Sequence, residues 1–549
     1  MPDAAQYTLS LFDNSALGWT VAAPIPDAEP LGEAHEEPTQ VTHPPDARSA
    51  GVNYALDGDR GLARGWPARA RDNIAAIVLS KQIEDEGRPA TEEEQERLLR
   101  FIGFGATELA QNAFALPGAD GFRPGWEEIG KSLADATTPA DYAALQRSTQ
   151  YAHYTPEPSI RAIWRAVLRL GFTAGRVLEP GMGTGLFFAL MPAELRDTTR
   201  LTGVEYDPVT ARIARLIHPQ ARVRCEDYAR STLGGDFDLA IGNPPFADRV
   251  VRADPTTASL GLRLHDYFIA RSISRLRAGG LAIFVTSTGT MDKASATARE
   301  HIGGMADLIG AVRLPESSMQ ATAGTEVVVD VIVFQRRPDG AAPAGHAWMK
   351  LREISVDDGA GDLDDEHDTD ETDLASGDDN APSPDDQAAE PRHLRRGVVM
   401  VNEYFASHPE MVLGTHGQRR GIYGPGLFYT CRPLPDAGPL EAQLDAAFAR
   451  LPAGIFTADP DALAADAEEE PAIQVGRAAD GATIKEGSYH VGQGGRLCQI
   501  ISGASVPVAI KTGKTGEGIS SKAARIIRAL LPVRDAVRDV LRAQAAGQP

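Results

Sequence analysis

Strand-like runs alternate with helical stretches between residues 176 and 335. They lie at 176–179, 201–205, 223–225, 238–242 and 281–286, and a last pair is expected around 305–313 and 326–335. Strands separated by helices are typical of βαβ units, which assemble into a mainly parallel, doubly wound sheet. Ligands bind such sheets at the carboxyl ends of the strands. The alternation therefore predicts an α/β fold with its functional site at that edge.

A glycine-rich turn follows the first of these strands, with the sequence Glu179-Pro180-Gly181-Met182-Gly183-Thr184-Gly185. Glycines at alternate positions let the backbone approach a bound ligand without clashes from Cβ atoms. A dinucleotide-binding turn would read Gly-x-Gly-x-x-Gly, whereas this turn reads Gly-x-Gly-x-Gly and has an acidic residue before it. That version suits S-adenosylmethionine, whose methionine part carries an amine and whose sulfonium is cationic.

Acidic residues follow the next two strands. Glu205, with Tyr206 after it, ends the second strand, where a carboxylate can accept hydrogen bonds from both ribose hydroxyls. Asp227, with Tyr228 after it, follows the third strand, where a carboxylate can accept from an adenine amine. Each feature alone is common as a loop glycine or a surface acid. Together, at the ends of three consecutive strands, they favour a nucleoside site.

The fourth strand leads into Asn243-Pro244-Pro245-Phe246. Two prolines stiffen the backbone and remove two N–H donors, which leaves carbonyl acceptors beside the Asn amide. The Asn oxygen and a Pro carbonyl can accept from an exocyclic NH₂, and the Phe ring can stack on a planar base. The same sequence is also common as a simple turn, so by itself it leaves both interpretations open.

Tyr154-Thr155-Pro156, the glycine-rich turn, the two acids and Asn243-Pro244-Pro245-Phe246 occur in the order that resembles the γ-group amino-methyltransferases, which make N6-methyladenine in DNA. The resemblance covers about residues 150–336. It implies a Rossmann-like class I methyltransferase fold, S-adenosylmethionine as the cofactor, and DNA as the partner. It also implies that residues 243–246 receive an adenine flipped out of the duplex. Cytosine-N4 enzymes usually have Ser in place of the Asn.

The residues expected to line the cofactor site are Tyr154, Thr155, Pro156, Glu179, Pro180, Gly181, Gly183, Gly185, Glu205, Tyr206, Asp227 and Tyr228. The residues expected to act on the acceptor base are Asn243, Pro244, Pro245 and Phe246.

A narrower resemblance extends further, because segments both inside and outside this core resemble the methyltransferase half of very large methyltransferase–helicase proteins of phages, plasmids and integrative elements. They lie at 101–106, 152–156, 265–268, 313–315, 324–327 and 408–414. The resemblance implies protection of mobile DNA from restriction and a helicase-like ATPase as a partner, in this chain or another. Met319 departs from the pattern because Phe is expected in Leu-Pro-x-x-x-Phe, which leaves a stacking role there in doubt.

Two other functions are compatible with the motifs. Asn-Pro-Pro also serves methyltransferases that modify an RNA guanine amine or a protein glutamine amide. A methyltransferase fold can also be kept as a non-catalytic scaffold for DNA binding or antirestriction.

The regions outside the catalytic segment differ in composition. Their expected boundaries are a flexible segment at 1–55, a helical domain at 56–150, the catalytic domain at 151–340, an acidic disordered linker at 355–392, and an α+β module at 393–549 that binds DNA or connects to the helicase. Thr91 with Glu94 predicts a helix capping box. A basic helix is expected over 520–543, broken at Pro532.

Charge and cysteine content limit the partners and the setting. The net charge is −22, but residues 357–390 contain 15 Asp and Glu and no Lys or Arg, which leaves −7 for the rest of the chain. Any DNA contact must therefore use local basic patches. The three cysteines are scattered, so no metal site is predicted. No secretion signal and no membrane-spanning run is expected, which fits a cytoplasmic protein.

Overall fold

The computed structural model describes residues 51–116, 121–150, 154–247, 249–254, 256–320, 324, 326–345, 347–356, 397–421, 424–459, 475–477, 483–485, 488–491, 496–501, 504–508, 510 and 519–545. They divide into two compact units: one drawn from Met1–Tyr228, Phe237–Val251 and Leu262–Ala464, the other from Ala229–Asp236, Arg252–Gly261 and Ala465–Pro549. Residues 1–50 of the predicted flexible segment and residues 357–392 of the predicted linker lie outside the described residues.

Helices form the N-terminal part of the first unit: α1 (Trp66–Asp85), α2 (Glu92–Leu99), α3 (Thr107–Asn112), α4 (Glu127–Ala136) and α5 (Pro139–Ser148). The predicted capping box begins α2, since Thr91 Oγ1 accepts from the Glu94 amide at 3.3 Å and Glu94 Oε2 accepts from the Thr91 amide at 2.9 Å. The segment before α1 is also ordered against the body. The Tyr54 amide donates to the Ile217 carbonyl at 2.9 Å, and the Leu56 amide donates to the Ala189 carbonyl at 2.8 Å.

A seven-stranded sheet is the centre of the first unit. Its strands are β1 (Gly175–Pro180), β2 (Thr199–Glu205), β3 (Arg222–Cys225), β4 (Phe237–Gly242), β5 (Leu276–Ser287), β6 (Ala306–Arg313) and β7 (Val329–Arg336). The order is β3-β2-β1-β4-β5-β7-β6, and β7 runs antiparallel to both of its neighbours. Strands β1 and β4 are buried along their whole length, as expected for central strands covered on both faces. This topology confirms the expected α/β, Rossmann-like class I methyltransferase fold.

Helices precede the first strand of this sheet and connect most of the later strands. They are α6 (Glu157–Arg169), α7 (Leu186–Ala189), α8 (Ala193–Arg196), α9 (Pro208–Ile217), α10 (Leu264–Ser274), α11 (Gly289–Asp292) and α12 (Thr297–Met305). Helix α6 buries apolar residues at helical spacing, among them Ile160, Ile163 and Val167. Its Trp164 is fully buried and donates to the Phe187 carbonyl at 2.9 Å, which connects α6 to α7.

Residues 397–459 also belong to the first unit, so the predicted boundary at 393 does not coincide with the boundary between the units. This segment contributes β9 (Val398–Asn402), which pairs with β8 (Leu351–Ser355), then α13 (Glu403–Ser407) and a hairpin of β10 (Gly414–Gly421) and β11 (Gly424–Pro433). It ends with α14 (Leu440–Phe448), whose Leu444 and Phe448 are buried. The Leu413 amide bonds the Arg313 carbonyl at 2.8 Å, which places the segment beside the end of β6.

Arg313, the last residue of β6, explains why the segment stays there. It is fully buried, and its Nε and Nη2 donate to the two Asp330 oxygens at 2.8 Å each. Its Nη1 lies 2.7 Å from Asp292 Oδ2. Its Cζ lies 4.2 Å from the Phe405 ring centroid and 5.0 Å from that of Tyr429. One buried cation thus connects the sheet to α13 and the hairpin.

The described part of the second unit contains short strands and one long helix. The strands are β12 (Val475–Arg477), β13 (Thr483–Lys485), β14 (Tyr489–Val491), β15 (Leu497–Ile501) and β16 (Ala504–Pro507), and the helix is α15 (Ser521–Ala545). The prediction that this helix breaks at Pro532 is wrong, because α15 continues through it. Leu531 and Ala524 pack with Leu497 in a small core, which holds the helix in place around the proline.

Within the described residues, no helix combines the length and apolarity needed to cross a membrane.

Candidate active site

The glycine-rich turn after β1 has a backbone that glycine favours. Gly181, Gly183 and Gly185 have φ values of +66°, +56° and +78°. The amides of Gly181 and Met182 both donate to the Val204 carbonyl, at 2.8 and 3.0 Å, which holds the turn against the end of β2. The left-handed conformation disfavours any side chain with a Cβ at these positions. The turn is therefore built so that backbone, not side chains, faces the carboxyl edge of the sheet.

Tyr154 covers this turn. A Cβ built on Gly183 would lie 3.1 Å from Tyr154 Cε1 and 3.2 Å from its hydroxyl oxygen, so the missing side chain makes room for the ring. Burial and the nearby Glu205 raise the pKa of Tyr154, which keeps the phenol neutral. Pro156 caps α6 in an extended conformation. Thr155 between them is buried, and its Oγ1 has no hydrogen-bond partner among the described residues.

Glu205 lies at the end of β2 and touches the glycine turn. Its Oε2 accepts from the Gly183 amide at 2.9 Å, and its Oε1 accepts from the Asp207 amide at 2.8 Å. Each carboxylate oxygen has a second lone pair, so both can still accept from ligand hydroxyls. Burial raises the pKa of Glu205 to about 7, and the neighbouring Asp207 raises it further against the amide hydrogen bonds. Asp207 itself caps α9 by accepting from Thr210 at 2.8 Å.

Glu179, near the end of β1, is a buried carboxyl group with few hydrogen-bond partners to offset its burial. It is 2% exposed, and its Oε2 has no hydrogen-bond partner among the described residues. Burial, and then the nearby Glu205, raise its pKa well above the usual value. Two carboxyl groups thus lie close together in a buried place. A cationic ligand with N–H or O–H donors would stabilise both.

The 243–246 loop lies against the glycine turn. A Cβ built on Gly181 would lie 3.3 Å from Pro245 Cδ. A Cβ built on Gly242, the last residue of β4, would lie 3.3 Å from Glu179 Cγ. Pro244 is buried, whereas Asn243 and Phe246 are partly exposed. The structure therefore brings the two predicted motifs into direct contact at the carboxyl edge of the sheet.

His265, on α10, lies beside Phe246. Their ring centroids are 6.4 Å apart with an interplanar angle of 87°, an edge-to-face arrangement. His265 Nε2 is 3.4 Å from Ser287 Oγ at the end of β5. Burial lowers the pKa of His265, so the ring is neutral near pH 7. The sequence did not predict this contact, because only the folding of the chain after Phe246 brings α10 back against the loop.

Four other residues singled out in the sequence have none of the contacts with the glycine turn or the 243–246 loop described above. Tyr206 is 70% exposed, and Asp227 is partly buried next to Glu226, whose amide bonds the Glu205 carbonyl at 3.0 Å. Tyr228 is 2% exposed and points into the protein, where its hydroxyl is 3.0 Å from Ser272 Oγ. Met319 is also buried, at 1% exposure. A second aromatic wall opposite Phe246 therefore does not come from Met319.

One buried residue near the site carries no sequence signal. Arg60 is 2% exposed, and its Nε donates to Glu157 Oε1 at 2.6 Å. Its Cζ lies 5.9 Å from the ring centroid of Tyr154. Residue 60 belongs to no periodic element, which is why sequence patterns do not reveal it. Over the described residues, no cluster of His, Cys, Asp and Glu suits a metal ion.

Comparisons with known proteins give partial likenesses. No protein-family model matches the chain. Over 192 residues, 34% of its length, the chain is 31% identical to Defense against restriction protein B of Escherichia phage P1, and the match covers 8% of that protein. Over 80 residues, 13% of its length, it is 36% identical to tRNA1(Val) (adenine(37)-N6)-methyltransferase of a Flavobacteriaceae bacterium, and the match covers 34% of that protein. The chain thus spans only a minor part of either relative.

Among solved structures, the chain is similar to the methyltransferase subunit of a type I restriction-modification system from Streptococcus thermophilus. The two are 17% identical with a TM-score of 0.32, and the alignment covers 52% of this chain and 68% of that one.

Proposed function

We propose that this chain transfers a methyl group from S-adenosylmethionine to the N6 amine of an adenine in DNA. The observation that supports this is the contact between the 181–185 turn and the 243–246 loop, with Pro245 Cδ 3.3 Å from the Cβ position of Gly181. A donor held at the turn and an amine held at the loop would then be neighbours. Holding two reactants in such a geometry supplies a large part of catalysis by itself.

The donor half of the site rests on its buried acids. When bound, S-adenosylmethionine supplies an electrophilic methyl group on a sulfonium. Glu179 and Glu205 would lie close to this positive charge, which would offset the free-energy cost of two carboxylates buried close together. The free lone pairs of Glu205 would accept from the ribose hydroxyls, and Asp227 from the adenine amine. Tyr154 and the glycine turn would enclose the ligand.

The acceptor half rests on the loop after β4. The Asn243 side-chain oxygen and the Pro244 carbonyl would accept from the two N6 hydrogens, which increases the negative charge on the nitrogen as it attacks. Phe246 would stack on the base, replacing the stacking that is lost when an adenine leaves the duplex. The N6 lone pair would form the new N–C bond as the C–S bond of the sulfonium breaks, with S-adenosylhomocysteine as the leaving group. A strong base is not required, because the methylated nitrogen is then cationic and can release its extra proton to water.

The choice of nucleic acid rests on the relatives of the chain. Similarity to a phage protein named for defence against restriction favours DNA as the substrate. The proposed role is then protection of mobile-element DNA from restriction, and the proposed partner is a helicase-like ATPase. The 36% identity to an adenine-N6 tRNA methyltransferase favours an adenine in tRNA as the second candidate. Both candidates use the same donor site and the same loop.

The acceptor class is tested by incubating the purified chain with S-adenosylmethionine labelled in its methyl group and, separately, duplex DNA, single-stranded DNA, total tRNA and a protein extract. Label in DNA, released as N6-methyladenine, is the expected result. Label in tRNA alone would replace the first candidate with the second. Binding of the donor with no transfer to any acceptor would overturn the proposed activity and leave a scaffold role.

A further inference from the structure

Arg60 is a buried cation that uses only part of its hydrogen-bonding capacity. The residue is 2% exposed and its side chain is 0% exposed. Nε donates to Glu157 Oε1 at 2.6 Å, but Nη1 and Nη2 have no hydrogen-bond partner among the described residues. Leaving buried donors of a charged group unsatisfied is costly. Arg–carboxylate pairs frequently use the planar fork with both carboxylate oxygens, as Arg313 does with Asp330, whereas the pair of Arg60 with Glu157 uses Nε.

The unsatisfied nitrogens lie beside the proposed donor site. Arg60 Cζ is 5.9 Å from the ring centroid of Tyr154, and that ring touches the Cβ position of Gly183. The Glu157 partner is two residues after Thr155, whose buried Oγ1 also has no partner among the described residues. Arg60 Nη1 and Nη2 and Thr155 Oγ1 are therefore three buried donor atoms without a partner among the described residues, and they belong to side chains that adjoin Tyr154, the residue that covers the glycine turn.

The chemistry of these groups matches one part of the donor. The acids Glu179 and Glu205 suit the ammonium, the sulfonium and the ribose hydroxyls, but they repel the carboxylate of the methionine part. An arginine fork is the protein group best suited to bind a carboxylate, because it offers parallel N–H bonds in a fixed plane. We infer that Arg60, together with Thr155, binds the donor's carboxylate. This inference rests on S-adenosylmethionine being the donor, as proposed above.

Arg60 comes from the segment before α1, outside every motif named in the sequence. That segment is attached to the body by the amides of Tyr54 and Leu56. The donor site would then consist of residues at the edge of the sheet and of Arg60 from this N-terminal segment, which would bind the amino-acid end of the donor. The segment would distinguish S-adenosylmethionine from adenosyl compounds that lack the carboxylate.

The test is isothermal titration calorimetry with two probes, S-adenosylmethionine and decarboxylated S-adenosylmethionine. The second probe keeps the amine, the sulfonium and the nucleoside but lacks the carboxylate. Wild-type protein is expected to prefer the first probe by about tenfold or more, as a charge-assisted hydrogen bond would give. Arg60→Met should lose this preference, with affinity for the decarboxylated probe changed less than about twofold. Arg64→Met, an exposed arginine of the same segment, should keep it.

A second variant guards against misfolding, because Arg60→Met leaves Glu157 buried and unpaired. Arg60→Met combined with Glu157→Gln removes both charges, which buried pairs tolerate better than the loss of one partner. Circular dichroism checks that both variants are folded. Retention of the preference in the folded double variant would overturn the role of Arg60 and leave the proposed function intact. Failure of wild-type protein to bind either probe would overturn both.

Discussion

At the scale of single residues, the site is defined by buried charge. Burial raises the pKa values of Glu179 and Glu205, and Arg60 has two side-chain nitrogens without a hydrogen-bond partner among the described residues. Burying such groups costs free energy of folding. Such groups are expected where a ligand of complementary charge binds, because the ligand supplies the charge and the hydrogen-bond partners that the buried side chains lack in the folded protein.

Glu205 predicts a pH dependence of stability. Its folded-state pKa is about 7, above the ordinary value of 4.5, so its contribution to stability is fully present below about pH 4.5 and is lost as the pH rises through about 7. The melting temperature of donor-free protein should therefore fall between pH 5 and pH 8, and less steeply in Glu205→Gln. Glu194→Gln, which changes an exposed side chain of α8, should follow wild type. Equal slopes in wild type and Glu205→Gln would contradict the assignment.

His265 predicts an effect on the acceptor side alone. Edge-to-face aromatic pairs contribute about 0.5–1.5 kcal/mol, so His265→Ala should lower the single-turnover methylation rate by up to about tenfold by loosening Phe246. His265→Phe should restore most of the rate, because it also presents a ring edge. Donor affinity, measured by calorimetry, should be the same in all three proteins. A fall in donor affinity would show that His265 acts on the fold instead.

At the scale of elements, the sequence predicted what depends on local pattern. All seven strands of the sheet were placed within a few residues, because their apolar runs are bounded by turns and helices. The predicted helix break at Pro532 was wrong, because packing in a small core around Leu531 outweighs the loss of one helical hydrogen bond. Tyr228 points inward to Ser272, an orientation that no local pattern reveals. Neither Arg60 nor the contact of His265 with Phe246 could be predicted, because only tertiary packing brings these side chains to the site.

The Arg313 cluster predicts that the 397–459 segment is held by buried charge. Arg313→Met would leave Asp330 and Asp292 buried without their cation, and we expect a loss of about 3–5 kcal/mol in the free energy of unfolding. Arg419→Met, which breaks a partly exposed pair with Glu326, should cost only about 0–1 kcal/mol. Urea denaturation measures both. Equal costs would mean that the buried cluster contributes no more than a surface ion pair.

At the scale of the whole molecule, the described site residues all fall in the first unit. The net charge of −22 says little about this site, since 15 acids lie within residues 357–390. The charge that bears on the proposed site is the local one at the carboxyl edge of the sheet, where Glu179 and Glu205 would face the proposed donor. The proposed partner of the acceptor loop, a nucleic acid, must therefore be held by basic groups elsewhere on the surface.

This division predicts that a fragment ending at residue 464 keeps donor binding. The fragment retains the sheet, the N-terminal helices and every proposed donor residue, so its affinity for S-adenosylmethionine should lie within about threefold of that of the full chain. Calorimetry on both proteins measures this, with circular dichroism to check folding. A folded fragment without donor binding would place part of the donor site in the second unit.

The central claim is that the donor turn and the Asn-Pro-Pro-Phe loop form one methyl-transfer site. The most direct measurement is the amount of N6-methyladenine, by mass spectrometry of nucleosides, in DNA incubated with S-adenosylmethionine and either wild type or Asn243→Ala. Wild type should produce N6-methyladenine, and Asn243→Ala should produce at most about one hundredth as much while binding the donor with unchanged affinity. Equal amounts from the two proteins, or none from wild type that binds the donor, would contradict the account.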